Sequence, residues 1–133
     1  MGITGAMISM SHSMSLRGKV NFSLKKLFAG GELSCSTYTG PGELLLAPST
    51  LGDIVVLRLN GTDSWKVGKD AFLAATSAVQ KDFQSQGLTK GVFSGEGLFI
   101  YKMSGSGILW LQSFGAIIKK DVRATHSSHF IFA

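Results

Sequence analysis

The chain has 133 residues, 13 Lys or Arg against 8 Asp or Glu, a net charge of +5, and is 44% hydrophobic but only 16% charged. Such a length supports one domain, 1–133, with a single core, and the composition excludes a disordered polymer. No apolar run approaches the roughly 18–20 residues of a transmembrane helix, and the single cysteine, Cys35, excludes an internal disulfide.

Residues 6–17 alternate, with Ile8, Met10, His12, Met14 and Leu16 on one side and Ser9, Ser11, Ser13, Ser15 and Arg17 on the other. A period of two predicts a half-buried strand or strand pair. The stretch is also Ser-rich and acid-free, as mitochondrial transit peptides are, but those form amphipathic helices and this period does not suit one. Val20–Leu24 reads as a second short strand. Leu33–Tyr38 and Leu44–Ala47 follow, separated by Thr39-Gly40-Pro41-Gly42-Glu43, and predict a hairpin because glycine supplies the φ > 0 geometry of tight turns.

After a turn at Pro48–Gly52, Asp53–Leu59 is apolar on both faces and predicts a central, doubly covered strand. Asn60-Gly61 then signals a type I′ hairpin turn, with Trp65–Val67 pairing back and Ala71–Ala75 opening another strand. Lys81–Lys90 reads as a polar loop. A second hairpin is predicted from Leu98–Met103 and Ile108–Gln112 across Ser104-Gly105-Ser106-Gly107.

The two hairpins are versions of one sentence. Phe28, Gly30, Leu33, Gly40, Gly42, Leu44 and Leu46 match Phe93, Gly95, Leu98, Gly105, Gly107, Leu109 and Leu111, always 65 residues on. Cys35 matches Ile100, which marks it as a small core residue. Repeats that cannot bury their own faces stack. The expected fold is therefore all-β: a β-sandwich or short double-stranded β-helix built from two hairpin repeats, 20–75 and 85–133. Open strand edges then favour a homo-oligomer.

Several ordered motifs carry a family resemblance over about residues 5–121. They are Leu-Phe-Ala-Gly-Gly-Glu (27–32), Gly-Pro-Gly-Glu-Leu-Leu-Leu-Ala-Pro (40–48), Gly-Asp-Ile-Val-Val-Leu (52–57), Ala-Phe-Leu-Ala (71–74), Phe-Ser-Gly-Glu-Gly-Leu-Phe (93–99) and Leu-Gln-Ser-Phe-Gly-Ala-Ile (111–117). Together they resemble the "altered inheritance of mitochondria 24" family, in its fungal form. The resemblance implies a fold similar to the tryptophan RNA-binding attenuation protein, ring assembly, usually three repeats, a role in mitochondrial organisation, and no catalytic motif.

The residues themselves offer little chemistry. Gly95-Glu-Gly97 and Gly105-Ser-Gly107 lack the third glycine of a dinucleotide fingerprint, and their recurrence marks them as turn and bulge positions. His126 and His129 stand three apart, so on a strand they face opposite ways and cannot share a metal. Glu43 and Glu96 both adjoin hairpin glycines but do not match at the repeat offset, so they read as solvated turn acids. Neither a catalytic set nor a cofactor is expected.

Charge is uneven. Residues 1–31 hold Arg17, Lys19, Lys25 and Lys26 without an acid, and residues 97–133 hold Lys102, Lys119, Lys120 and Arg123 against Asp121. The expected function is a non-catalytic, self-associating scaffold or interaction module, with an unspecified protein partner. The alternatives are nucleic-acid or polyanion binding through Lys25, Lys26, Lys119, Lys120 and Arg123, and lectin-like binding at an exposed Trp65. The start of the chain lacks a signal-peptide pattern, so an intracellular protein is expected, mitochondrial by the resemblance.

Overall fold

The computed structural model describes residues 1–19, 35–85 and 99–119. Its strands are β1 (Gly2–Ile3), β2 (Met7–Met10), β3 (Ser15–Lys19), β4 (Cys35–Thr39), β5 (Leu44–Leu46), β6 (Ile54–Asn60), β7 (Trp65–Gly68), β8 (Phe72–Ala75), β9 (Val79–Ser85) and β10 (Phe99–Gln112). A short 3-10 turn, Lys69–Ala71, joins β7 to β8. The fold is all-β: a large curled, open eight-stranded sheet and a small sheet of β2 and β5.

The large sheet is organised on β10, and here the hairpin expectation fails. Ser104-Gly105-Ser106-Gly107 does not reverse the chain; β10 passes through it as one strand of 14 residues. Its first half is flanked by β7 and β9, its second half by β6 and β8. Gly105 (φ +94°) and Gly107 (φ +154°) bend the strand between these two sets of partners. A Cβ at Gly105 would run into the Ala78 carbonyl, and one at Gly107 into Thr76 Oγ1. Both glycines thus serve a bend and a close approach rather than a turn. Thr76 fills the space, its Oγ1 accepting from Ile108 N–H at 3.0 Å.

The first repeat behaves alike. β4 and β5 do not pair with each other; β4 lies on β3 and β1, and β5 on β2. Gly40 (φ +127°) and Gly42 (φ +149°) carry the chain from one to the other. The ladder registers themselves recur at the 65-residue offset. Ser15 opposite Thr39 becomes Gln80 opposite Ser104, and Gly18 opposite Ser36 becomes Phe83 opposite Tyr101. Met7 opposite Leu46 becomes Phe72 opposite Leu111, and Met10 opposite Leu44 becomes Ala75 opposite Leu109. Even β1 has its counterpart, since Gly2 opposite Ser36 becomes Val67 opposite Tyr101, so the strands of the first repeat are β1–β5 and those of the second β7–β10, rather than the expected division at 20–75 and 85–133. Phe28 and Phe93 lie outside the described residues.

Four further expectations are corrected. Among the described residues β6 is not a central strand but the last on its side of the sheet, with Ile54, Val56 and Arg58 exposed. Asn60-Gly61 does not close a hairpin, because β6 and β7 both run antiparallel to β10. Instead Asn60 Oδ1 accepts from Thr62 N–H and Asp63 N–H, an Asx loop that interrupts one path. Residues 81–85 of the expected polar loop belong to β9, which alternates inward Val79, Lys81 and Phe83 with outward Gln80, Asp82 and Gln84. A lysine at an inward position hid that period. Residues 6–17 do contribute to two strands, β2 and β3, but these pair with β5 and β4 rather than with each other, and Ile8 and Leu16 are exposed rather than half-buried.

Two apolar clusters hold the body together. Phe72, Tyr101, Met103 and Leu109 are the fully buried side chains of the larger one, with Leu59, Val67, Ala75, Val79 and Leu111 around them. The smaller joins Ala6, Leu73 and Ala74, with Ile3, Leu46 and Trp110 against it, and so lies where the first repeat meets the second.

Candidate functional site

An open groove lies beside β7 and the end of β10, where β7 leaves the sheet for the 3-10 turn. Trp65, Val67, Gly68 and Ala71 form one wall, and Val55, Leu111 and Ile117 supply apolar surface across it. The groove is positioned by β10, which holds β6 and β7 by antiparallel ladders on successive halves. Lys66 also lines it, and Gln112 contributes a buried polar group. Its Nε2–H donates to the Asp70 carbonyl at 3.0 Å, which fixes the amide orientation. Its Oε1 is buried and has no hydrogen-bond partner among the described residues. A buried acceptor without a donor costs about 1–3 kcal/mol.

A second feature surrounds Lys81 on β9. Its ammonium lies 4.5 Å from the centre of the Tyr101 ring and 5.2 Å from that of Phe72. It also donates to Cys35 Sγ at 3.0 Å. The aromatic faces stabilise the half-buried cation, and Phe83 adds a tilted ring contact to Tyr101 at 6.0 Å. Cys35 is half-buried against the larger core cluster, as its match to Ile100 suggests. Burial holds the Met1 ammonium below its ordinary pKa of 8.0, with Cys35 acting the other way.

The residues singled out from sequence are dispersed. Trp65 is half-buried against the core rather than standing clear, and one side of it lines the groove. Lys119 is exposed at the end of the described chain. Lys25, Lys26, Lys120 and Arg123 lie outside the described residues, as do Glu96, His126 and His129. Glu43 is exposed, its N–H donating to Ser11 Oγ at 2.9 Å. No group of three or more His, Cys, Asp or Glu able to hold a metal occurs among the described residues. No helix among them is long and apolar enough to cross a membrane. Sequence reasoning missed the groove and Gln112 entirely, because the groove arises where two ladders share β10 and no local pattern marks it.

The fold and the groove define an all-β repeat protein whose distinctive surfaces are apolar strand edges. Comparison with known proteins supplies the family. Residues 3–131 match the family described as "Mitochondrial biogenesis AIM24", and the chain belongs to it. An uncharacterized protein of Streptococcus pyogenes serotype M6 is 41% identical over 81 residues, covering 60% of this chain and 32% of that protein. The crystal structure of another Streptococcus pyogenes protein superposes with a TM-score of 0.69 at 29% identity, over 90% of this chain and 56% of that one. The chain thus spans about a third of the curated relative and about half of the solved one. These relatives correct one expectation. They are bacterial and bacteria have no mitochondria, so a fungal, mitochondrial protein is not what the matches support.

Proposed function

We propose that this chain is a non-catalytic, self-associating β-repeat protein that works as a scaffold or interaction module, one domain of two repeats. The observation that carries the reading is apolar surface left on open edges. Among the described residues β6 ends the large sheet and exposes Ile54 and Val56, while Leu51, Phe114 and Ile118 are exposed in the segments beside its first residue. β5 exposes Leu45 on a strand paired on one side only among the described residues. Soluble proteins blunt such edges with charge, proline or cover, and contiguous apolar surface marks an interaction site. Size-exclusion chromatography with light scattering tests the reading. Assemblies larger than one chain at micromolar concentration are expected; a monomer there defeats it.

Charge distribution favours a second reading, binding of nucleic acid or another polyanion through Lys25, Lys26, Lys119, Lys120 and Arg123. Its support is the acid-free stretch 1–31 and the basic excess of 97–133. Titration with duplex DNA, RNA and heparin at two salt concentrations checks it. With all five cations on duplex phosphates, the log–log salt slope approaches about −4.5. No binding at low salt removes the reading. The lectin-like reading gains no support, since Trp65 is half-buried against the core.

A further inference from the structure

Among the described residues the internal symmetry contains one joint that is made and one that is left open. The first repeat meets the second where β1 pairs with β8, Gly2 opposite Ala74. There Met1 N–H donates to the Ala75 carbonyl at 2.7 Å, and Ala75 N–H to the Met1 carbonyl at 2.8 Å. Leu73 of β8 is buried in the joint, clustered with Ala6 and packed on by Ile3 and Leu46.

The 65-residue offset converts each half of this joint into its counterpart. Ile3, Ala6 and Leu46 become Gly68, Ala71 and Leu111, which line the open groove. Phe72, Leu73, Ala74 and Ala75 become Met7, Ile8, Ser9 and Met10, which are β2. Both strands hold the same register on their partners, yet their cover differs. Phe72 and Leu73 are 0% and 3% exposed, whereas Met7 and Ile8 are 37% and 62% exposed. One molecule therefore carries a strand stripped of the cover its counterpart has, and an apolar groove made of the counterparts of that cover.

Resting on the self-association reading above, we propose that β2 of a second copy docks antiparallel along β7, with Ile8 seated in the groove as Leu73 is seated in the internal joint. The register follows from that joint: Val67 opposite Ser9 of the second copy, and Lys66 exchanging backbone hydrogen bonds with Met10. The second copy is the occupant the molecule itself specifies, because groove and strand repeat a contact the chain already makes. Charge agrees, since β2 carries none and enters beside Lys66 and Lys69 without repulsion. The contact is head-to-tail, so it closes into a ring or extends as a filament according to the rotation per copy.

Two variants block opposite halves. Ile8→Lys places a charge on the entering strand, and Gly68→Lys fills the groove mouth at a position where a Cβ meets nothing within 4 Å. Light scattering on each alone should show at least a tenfold weaker association, with unchanged circular dichroism. A 1:1 mixture should form dimers and nothing larger, because one intact strand meets one intact groove. Unmutated protein supplies the second readout: amide exchange of Met7–Met10 and Trp65–Gly68 should slow as concentration rises. A wild type that associates while both variants do so equally well, or a mixture that stays monomeric, overturns this interface and leaves self-association standing. Exchange at these strands that is slow at every concentration gives the groove to another segment of the same chain and overturns it too. A monomeric wild type defeats both readings.

Discussion

Lys81 shows how a charged residue is fitted to an inward position of this body. Its stem lies along the core and its ammonium rests between the Phe72 and Tyr101 rings and Cys35 Sγ, so charge is met by ring quadrupoles and a soft sulfur. Replacing it by alanine removes both the ring contacts and the packed stem. Lys81→Ala should lower unfolding free energy by about 1–2 kcal/mol in urea titration, and a loss below 0.5, within the scatter of ordinary surface changes at roughly ±0.5, contradicts this account. Gly105 is the backbone counterpart: positive φ and the Ala78 carbonyl both bar a side chain. Gly105→Ala should cost about 2–3 kcal/mol. Gly18→Ala, where a Cβ meets nothing within 4 Å, should change stability by less than about 1 kcal/mol.

At the scale of elements, β10 and β6 are opposites that pair with each other. β10 has neighbours along both halves and buries Tyr101, Met103, Leu109 and Leu111. β6 has β10 on one side and exposes every second residue. Truncation should therefore act unequally on partners in the same ladder. Leu109→Ala leaves a cavity in a fully buried site and should cost about 2–5 kcal/mol; Ile54→Ala, at an exposed edge position, should stay under about 1 kcal/mol. Equal losses in chemical denaturation would show that β6 is covered in solution. The contrast between β8 and β2 follows the same logic, since identical ladders gave a buried strand in one repeat and an exposed one in the other.

For the whole molecule, the joint between repeats decides whether the body folds as one unit. β1 lies between β4 and β8, and Leu73 is buried against Ala6, Ile3 and Leu46 of the first repeat. With a shared core, unfolding should follow a single cooperative transition with coincident fluorescence and circular dichroism curves. Leu73→Ala should shift that transition by about 2–5 kcal/mol without splitting it. Two resolved transitions in the wild type would mean that the repeats are energetically separate.

The amino-acid sequence determined the strand class and the 65-residue repetition, because alternation and glycine spacing are local properties that survive in any arrangement of the chain. Gly40, Gly42, Gly105 and Gly107 were legible as special backbone positions for the same reason. What glycine does at such a position is not local. A positive φ suits a reversal and a bend alike, and only the partners on each side of Ser104–Gly107 made it a bend. The run Asp53–Leu59 likewise fixed a strand but not its place, since an apolar outer face reads as burial until an edge is seen. Lys81 lost its inward place in the reading because hydropathy ranks a side chain by its charge, whereas the rings of Phe72 and Tyr101 admit it. The groove beside β7 exists only where two ladders meet on one strand, and so tertiary structure alone decided it.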